Sequence, residues 1–230
     1  MLKKVKTSVL FFPSAGSSPS TYFNMIKKAP KHVSISVVNY PGREKFKSKP
    51  FSKSCLDLVN FIGLENIEHF LHENKNNKTI FMGHSVGTWV MFELINQLTL
   101  YPDKVIISTF PSPCISENKR PWQKNKHLDD KAFQDELSGW EIDSRVFKPF
   151  IWEKYKDLLR ADCTLFDEYV FNVNTKYLDI ETTLIYACDD IKIKKEMMEG
   201  WKSFFKCTNF KILNGNHRFL ENIDNFEFIY

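Results

Sequence analysis

Five residues, Gly83-His84-Ser85-Val86-Gly87, constrain this chain more than any others. A short apolar run, 79–82, stands before them. A helix-like stretch, 88–98, follows and carries Trp89, Val90, Met91, Phe92, Leu94 and Ile95. Strand, tight turn and helix in that order form the setting in which G-x-S-x-G becomes a nucleophile elbow. The serine of such a turn takes a strained φ/ψ that lifts its hydroxyl above the sheet edge. Glycines on either side let strand and helix come close, and the helix start turns free N–H groups and its positive dipole end toward the hydroxyl. A serine in a plain turn would instead be an ordinary helix N-cap. The elbow reading therefore depends on partners elsewhere in the chain.

Strands are predicted at 8–12, 33–38, 79–82, 105–110, 182–187 and 210–213, several of them continuous apolar runs of the kind buried in parallel sheets. Helices are predicted over 56–70 and 88–98, from Leu128-Asp129-Asp130, after Pro149, around Met197, Met198, Trp201 and Phe204, and over 219–228. Alternating strands and helices argue for an α/β fold, with a mostly parallel central sheet covered by helices. With the elbow, this predicts an α/β-hydrolase fold: a single domain over 1–230. Residues 116–172 contain no convincing strand and are expected to form a helical lid insertion.

The partners of Ser85 must follow it in the order acid, then histidine. Histidines stand at 32, 69, 72, 84, 127 and 217, and only His217 comes after the insertion, in a Gly-x-His turn behind a predicted strand. His127 precedes any suitable strand-end acid. After strand 182–187 the acid is Asp189 or Asp190, and the spacing Ala187-x-x-Asp190-x-x-Ile193 favours Asp190. Ser85 is then the nucleophile, His217 the base and Asp190 the group that orients the imidazole. Backbone N–H groups of Val86 and Ala15, the latter in the small-residue loop 13–18 with Gly16 beside it, are the expected oxyanion donors. Neither a metal nor an organic cofactor is needed. His69 and His72, at i and i+3, have no third ligand at sensible spacing and read as surface histidines.

Five cysteines, odd in number and scattered without a C-x-x-C pair, read as reduced thiols of a cytoplasmic protein. Lys3, Lys4 and Lys6 precede an apolar stretch too short for a secretory signal, and no run reaches membrane-spanning length. No membrane association is expected. The net charge of +4 is modest, and no nucleic-acid recognition motif accompanies the lysine-rich stretch 43–53. Lys27, Lys28, Lys31, Arg43, Lys45, Lys47, Lys49 and Lys53 nevertheless crowd the first quarter of the chain, a candidate face for an acidic partner.

Taken together, the motifs resemble those of the type II, stand-alone thioesterases that accompany nonribosomal peptide and polyketide synthases. The opening block is Phe12-Pro13-Ser14-Ala15-Gly16-Ser17-Ser18, followed by Tyr22. A second is Tyr40-Pro41-Gly42-Arg43-Glu44, and the elbow is a third. Leu128-Asp129-Asp130 with Phe133, then Leu159-Arg160-Ala161-Asp162 with Glu168-Tyr169, match the lid blocks, and Gly215-Asn216-His217-Arg218-Phe219-Leu220 closes the series. Ser17 departs from a family glycine, and Arg218 from an apolar residue. The resemblance implies hydrolysis of acyl thioesters from the phosphopantetheine arm of an acyl- or peptidyl-carrier protein; a monomer without cofactors is expected. It carries the same triad, Ser85, Asp190 and His217. A carboxylester hydrolase with the same triad is the alternative.

Overall fold

The computed structural model describes residues 5–229; Lys3 and Lys4 lie outside them. Six strands form one sheet: β1 (Thr7–Phe12), β2 (Val33–Val37), β3 (Lys78–His84), β4 (Lys104–Ser108), β5 (Leu178–Ala187) and β6 (Phe205–Leu213). Their spatial order is β2-β1-β3-β4-β5-β6, and each neighbouring pair runs parallel. The central strands β1 and β4 are buried along their whole length, as a parallel sheet covered on both faces requires.

Side chains leaving β1 alternate between the two faces. Leu10 and Phe12 join the larger core with helices α2 (Cys55–Ile62), α3 (Leu64–Glu73) and α4 (Gly87–Ile95). Val9 and Phe11 join a second core with Tyr22, with Met25 of α1 (Phe23–Lys28), and with the C-terminal residues Leu220, Ile223, Phe226 and Phe228. From β1 the chain goes first to β2 on one side and then to β3 on the other. Strand order reverses there, and in open α/β sheets the crevice beyond the strand ends at such a point is where ligands bind. Ala15 follows β1 and Ser85 follows β3, so both stand at that crevice.

Between β4 and β5 the described residues contain no strand. They form α5 (Asp130–Gly139), α6 (Pro149–Asp167) and short 3-10 turns. Asp129 caps α5 by accepting the Ala132 N–H at 2.8 Å, and Pro149 opens α6 in the first-turn position that suits its fixed φ. Trp122, Trp140 and Phe166 of this segment pack with Phe110 at the end of β4, ring centroids 5.1 to 6.2 Å apart.

Several local expectations are corrected. The helix expected over 56–70 is two, because Gly63 takes φ 77° and ends α2 by donating its N–H to Val59. The helix expected over 219–228 is two 3-10 turns, Phe219–Asn222 and Glu227–Ile229. Strands β5 and β6 begin at 178 and 205, before the expected 182 and 210. In β6, an edge strand, exposed polar residues such as Thr208 and Asn209 hide the apolar pattern. No helix among the described residues is long and apolar enough to cross a membrane.

Asp167, at the end of α6, is buried and accepts the backbone N–H and the side-chain Nδ2 of Asn125 at 2.7 and 2.6 Å. Burial outweighs these bonds and pushes its pKa from 3.8 up to about 6. A raised acid favours the fold fully below its unfolded value, and that contribution is lost as pH rises through the folded value. Urea denaturation should therefore find wild type losing roughly 2–3 kcal/mol relative to Asp167→Asn between about pH 4 and pH 7. Parallel stability curves for the two proteins would contradict this account of Asp167.

Candidate active site

Ser85 takes φ 54°, in the left-handed region that costs a non-glycine residue strain. Its carbonyl accepts the Thr88 N–H at 2.9 Å and the Thr88 hydroxyl at 2.8 Å, and its own N–H donates to Ser108 at 3.0 Å. These bonds hold the strained turn between β3 and α4. A β-carbon on Gly83 would lie 2.6 Å from Thr88 Cα, and one on Gly87 only 2.2 Å from the Phe12 carbonyl oxygen. The first glycine lets strand meet helix. The second lets α4 meet the end of β1, so the loop carrying Ala15 lies against the elbow.

Asp190 follows β5 and His217 follows β6. Nε2 of His217 lies 2.9 Å from Ser85 Oγ, and Nδ1 lies 2.6 Å from Asp190 Oδ2. A carboxylate can only accept, so Nδ1 carries the proton and Nε2 faces the hydroxyl as acceptor. The other Asp190 oxygen accepts the N–H groups of Lys192 and Ile193 at 2.9 and 2.8 Å, which fixes the carboxylate. All three side chains are buried. Asp189 is exposed and accepts the Gly215 N–H at 3.0 Å instead. Asp190, the acid that the spacing favours, is the one beside the imidazole. His69, His72 and His127 are exposed and lie apart from this group.

A cavity of about 20 Å³, room for about one water molecule, lies over Ser85. Ser14, Ala15 and His217 line it from the sheet side, and Leu137, Trp140, Leu159 and Phe166 from the helical segment. Trp140 meets the His217 ring nearly edge-on, centroids 4.9 Å apart. Just beyond Trp140, Glu141 takes φ 58° and accepts the backbone N–H of His217 at 2.6 Å. Nothing in the local sequence marked Glu141, because its partner is 76 positions away.

A second buried group lies behind loop 13–18. Arg43 Nη1 and Nη2 donate to the two oxygens of Asp162 at 2.7 and 2.6 Å, and Nη1 also donates to the Ser17 carbonyl at 2.8 Å. Asp162 Oδ2 accepts the Gly16 N–H at 2.7 Å as well. Burial opposes the Arg43 charge, but Asp162 outweighs it and raises the Arg43 pKa above the ordinary value. Arg43 thus leaves the basic face to which the sequence assigned it. Arg218, a departure from the family pattern, borders the cavity and pairs with Glu221.

No family model matches the chain. Linear gramicidin dehydrogenase LgrE of Brevibacillus parabrevis is 24% identical over 230 residues, covering 96% of this chain and 84% of that protein. Thioesterase PikA5 of Streptomyces venezuelae is 29% identical over 133 residues, 54% of this chain and 43% of its own length. Among solved structures, the RedJ thioesterase of the prodiginine pathway in Streptomyces coelicolor superposes with a TM-score of 0.80 at 20% identity, covering 95% of this chain and 81% of its own. YbtT, a type II thioesterase from the yersiniabactin NRPS/PKS pathway, gives 0.79 at 20% identity, with 95% and 88% covered. The fold is the α/β-hydrolase fold of the type II thioesterases. ClbQ from the colibactin NRPS/PKS pathway superposes on this thioesterase fold equally well, at 0.80 and 18% identity over 94% of this chain and 91% of that one.

His84, inside the elbow, is buried with its ring 5.4 Å from that of His217 and its Nδ1 3.0 Å from Ser108 Oγ. Burial first, then the charges of His217 and Arg218, push its pKa well below the ordinary histidine value. Its ring nitrogens should therefore show no protonation shift in long-range ¹H–¹⁵N spectra between about pH 7.5 and pH 6. A titrating His84 signal in that window would refute the neutral assignment.

Proposed function

We propose that the chain is a serine thioesterase that hydrolyses acyl thioesters, taking them from the phosphopantetheine arm of an acyl- or peptidyl-carrier protein in the cytoplasm. The observation that carries this reading is the buried series Ser85 Oγ, His217 Nε2, His217 Nδ1, Asp190 Oδ2, with contacts of 2.9 and 2.6 Å, at the sheet's switch point. Support for the thioester comes from the fold shared with NRPS/PKS thioesterases and from the motif series running from Phe12 to Leu220. LgrE carries the name of a dehydrogenase; the chemistry read from the side chains of this chain is acyl transfer.

Chemistry then follows from position. Ser85 Oγ attacks the thioester carbonyl while His217 Nε2 takes its proton, and Asp190 stabilises the imidazolium so formed. The carbonyl oxygen becomes an oxyanion, received by the N–H groups of Val86, at the open start of α4, and of Ala15. As the C–S bond breaks, the thiol leaves with the proton from His217. A water molecule, deprotonated by the same nitrogen, attacks the acyl-enzyme and frees the acid and Ser85. Because the cavity over Ser85 holds about one water, the helical segment 116–172 acts as a lid that must move to admit an acyl chain.

Ser85→Ala and His217→Ala should each lower turnover by roughly 10⁴-fold or more, with the double variant little worse, because a triad acts as one unit. Asp190→Asn should fall clearly but less far, and Asp189→Asn should stay near wild type. Additive losses in steady-state kinetics would rule out a concerted triad. Paired assays of an acyl-pantetheine thioester and its oxygen-ester analogue decide the substrate class. Preference for the oxygen ester would favour the carboxylester hydrolase reading instead.

A further inference from the structure

Four consecutive amides follow the end of β1 at the active site. The Ser14 N–H donates to the Tyr22 hydroxyl at 3.3 Å, that of Gly16 to Asp162 Oδ2 at 2.7 Å, and that of Ser17 to the Ser14 carbonyl at 3.2 Å. Among the described residues no acceptor meets the Ala15 N–H, and Ala15 lines the cavity beside Ser85. Gly16 takes φ 72°, a conformation glycine enters freely and leaves as freely. Sterics alone do not keep the loop in this shape. At Gly16 itself, the Asp162 carboxylate is the partner of the backbone N–H.

Asp162 is itself held fast. Its side chain and that of Arg43 are each 6% exposed. The guanidinium that grips both carboxylate oxygens also donates to the Ser17 and Pro41 carbonyls, at 2.8 and 3.3 Å. Tyr40 adds a hydroxyl bond to the Pro13 carbonyl at 3.3 Å. The Arg43 turn, the loop after β1 and α6 are thereby fastened at one buried point.

We propose that Asp162, locked by Arg43, is a positioning residue that holds the Gly16 amide and so aims the Ala15 N–H at the developing oxyanion. The inference rests on the acyl-transfer reading of Ser85, but not on which acyl compound is the substrate. Since Asp162 belongs to α6, the oxyanion site is complete only while α6 is seated. The inserted helix is then part of the reaction centre as well as its cover.

Removing one member of a buried ion pair can unfold a protein, whereas replacing both by apolar groups of similar size is often tolerated. The test therefore uses Arg43→Met/Asp162→Leu, which keeps the space filled and leaves Gly16 without its acceptor. Three readouts are taken. They are thermal unfolding, the rate at which a fluorophosphonate modifies Ser85, and affinities for two inhibitors. One inhibitor is an alkylboronic acid, whose tetrahedral adduct puts an oxygen in the oxyanion site; the other is a pantetheine amide, which mimics only the ground state. Loss of one oriented donor predicts modification and boronate affinity both reduced by about 30- to 100-fold, with amide affinity within about twofold. A folded double variant modified at the wild-type rate overturns the proposal, and so does equal weakening of boronate and amide. If the double variant does not fold, Asp162→Asn takes its place: it should lower boronate affinity by about 5- to 10-fold with amide affinity held, and wild-type values for both would overturn the proposal. Wild type that is modified by fluorophosphonate yet leaves thioesters intact would remove the thioesterase reading alone. Wild-type protein that is not modified at all would overturn both.

Discussion

The approach of α4 to the ends of β1 and β3 governs the geometry of everything around Ser85. At Gly87 the clearance to the Phe12 carbonyl leaves no volume for a side chain, and at Gly83 the same holds against Thr88. With the helix start that close, the chain passes from β3 to α4 in a single strained residue, Ser85 at φ 54°. Packing over-determines the strain: Val86, Trp89, Val90, Met91 and Phe92 are fully buried just behind it. A turn in a sparsely populated conformation persists only when its surroundings leave it no alternative.

Around that fixed point the inserted helices do more than cover. Two carboxylates from this segment each grip a backbone N–H in a loop beside Ser85: Glu141 that of His217 and Asp162 that of Gly16. Trp140 adds an aromatic edge against the His217 ring. Histidine loop and small-residue loop both follow strands of the sheet, yet each bonds to a carboxylate from the helical segment between β4 and β5. Such bonds to backbone are strong where water is excluded, because a charged acceptor shortens and strengthens them.

Much of this was legible in the sequence. Ser85, His217 and Asp190 stood out because each sits at a strand end in a fixed chain order, and strand ends are readable from apolar runs such as Phe81-Met82 and Ile185-Tyr186-Ala187. Spacing favoured Asp190 over Asp189, and the fold brings Asp190 to the imidazole while turning Asp189 outward to Gly215. Arg43 was grouped with the basic residues of a candidate face for an acidic partner, since lysines surround it. Its burial depends on Asp162, 119 positions on, and no local pattern reports a pairing at that distance. Glu141 was silent for the same reason. The break at Gly63 was hidden because α2 and α3 both carry apolar faces of helical period.

The clasp between residues 16, 43 and 162 also bears on how the molecule comes into being. Contacts this distant in sequence close late, since each requires a large loop of chain to be ordered first. During synthesis, β1, β3 and the elbow can gather while Gly16 and Arg43 still lack Asp162. Asp190 and His217 arrive later again, behind β5 and β6. The residues around Ser85 therefore assemble from the whole span between 14 and 217. A nascent chain can hold β1 to β4 together while Ser85 still lacks both His217 and Asp190.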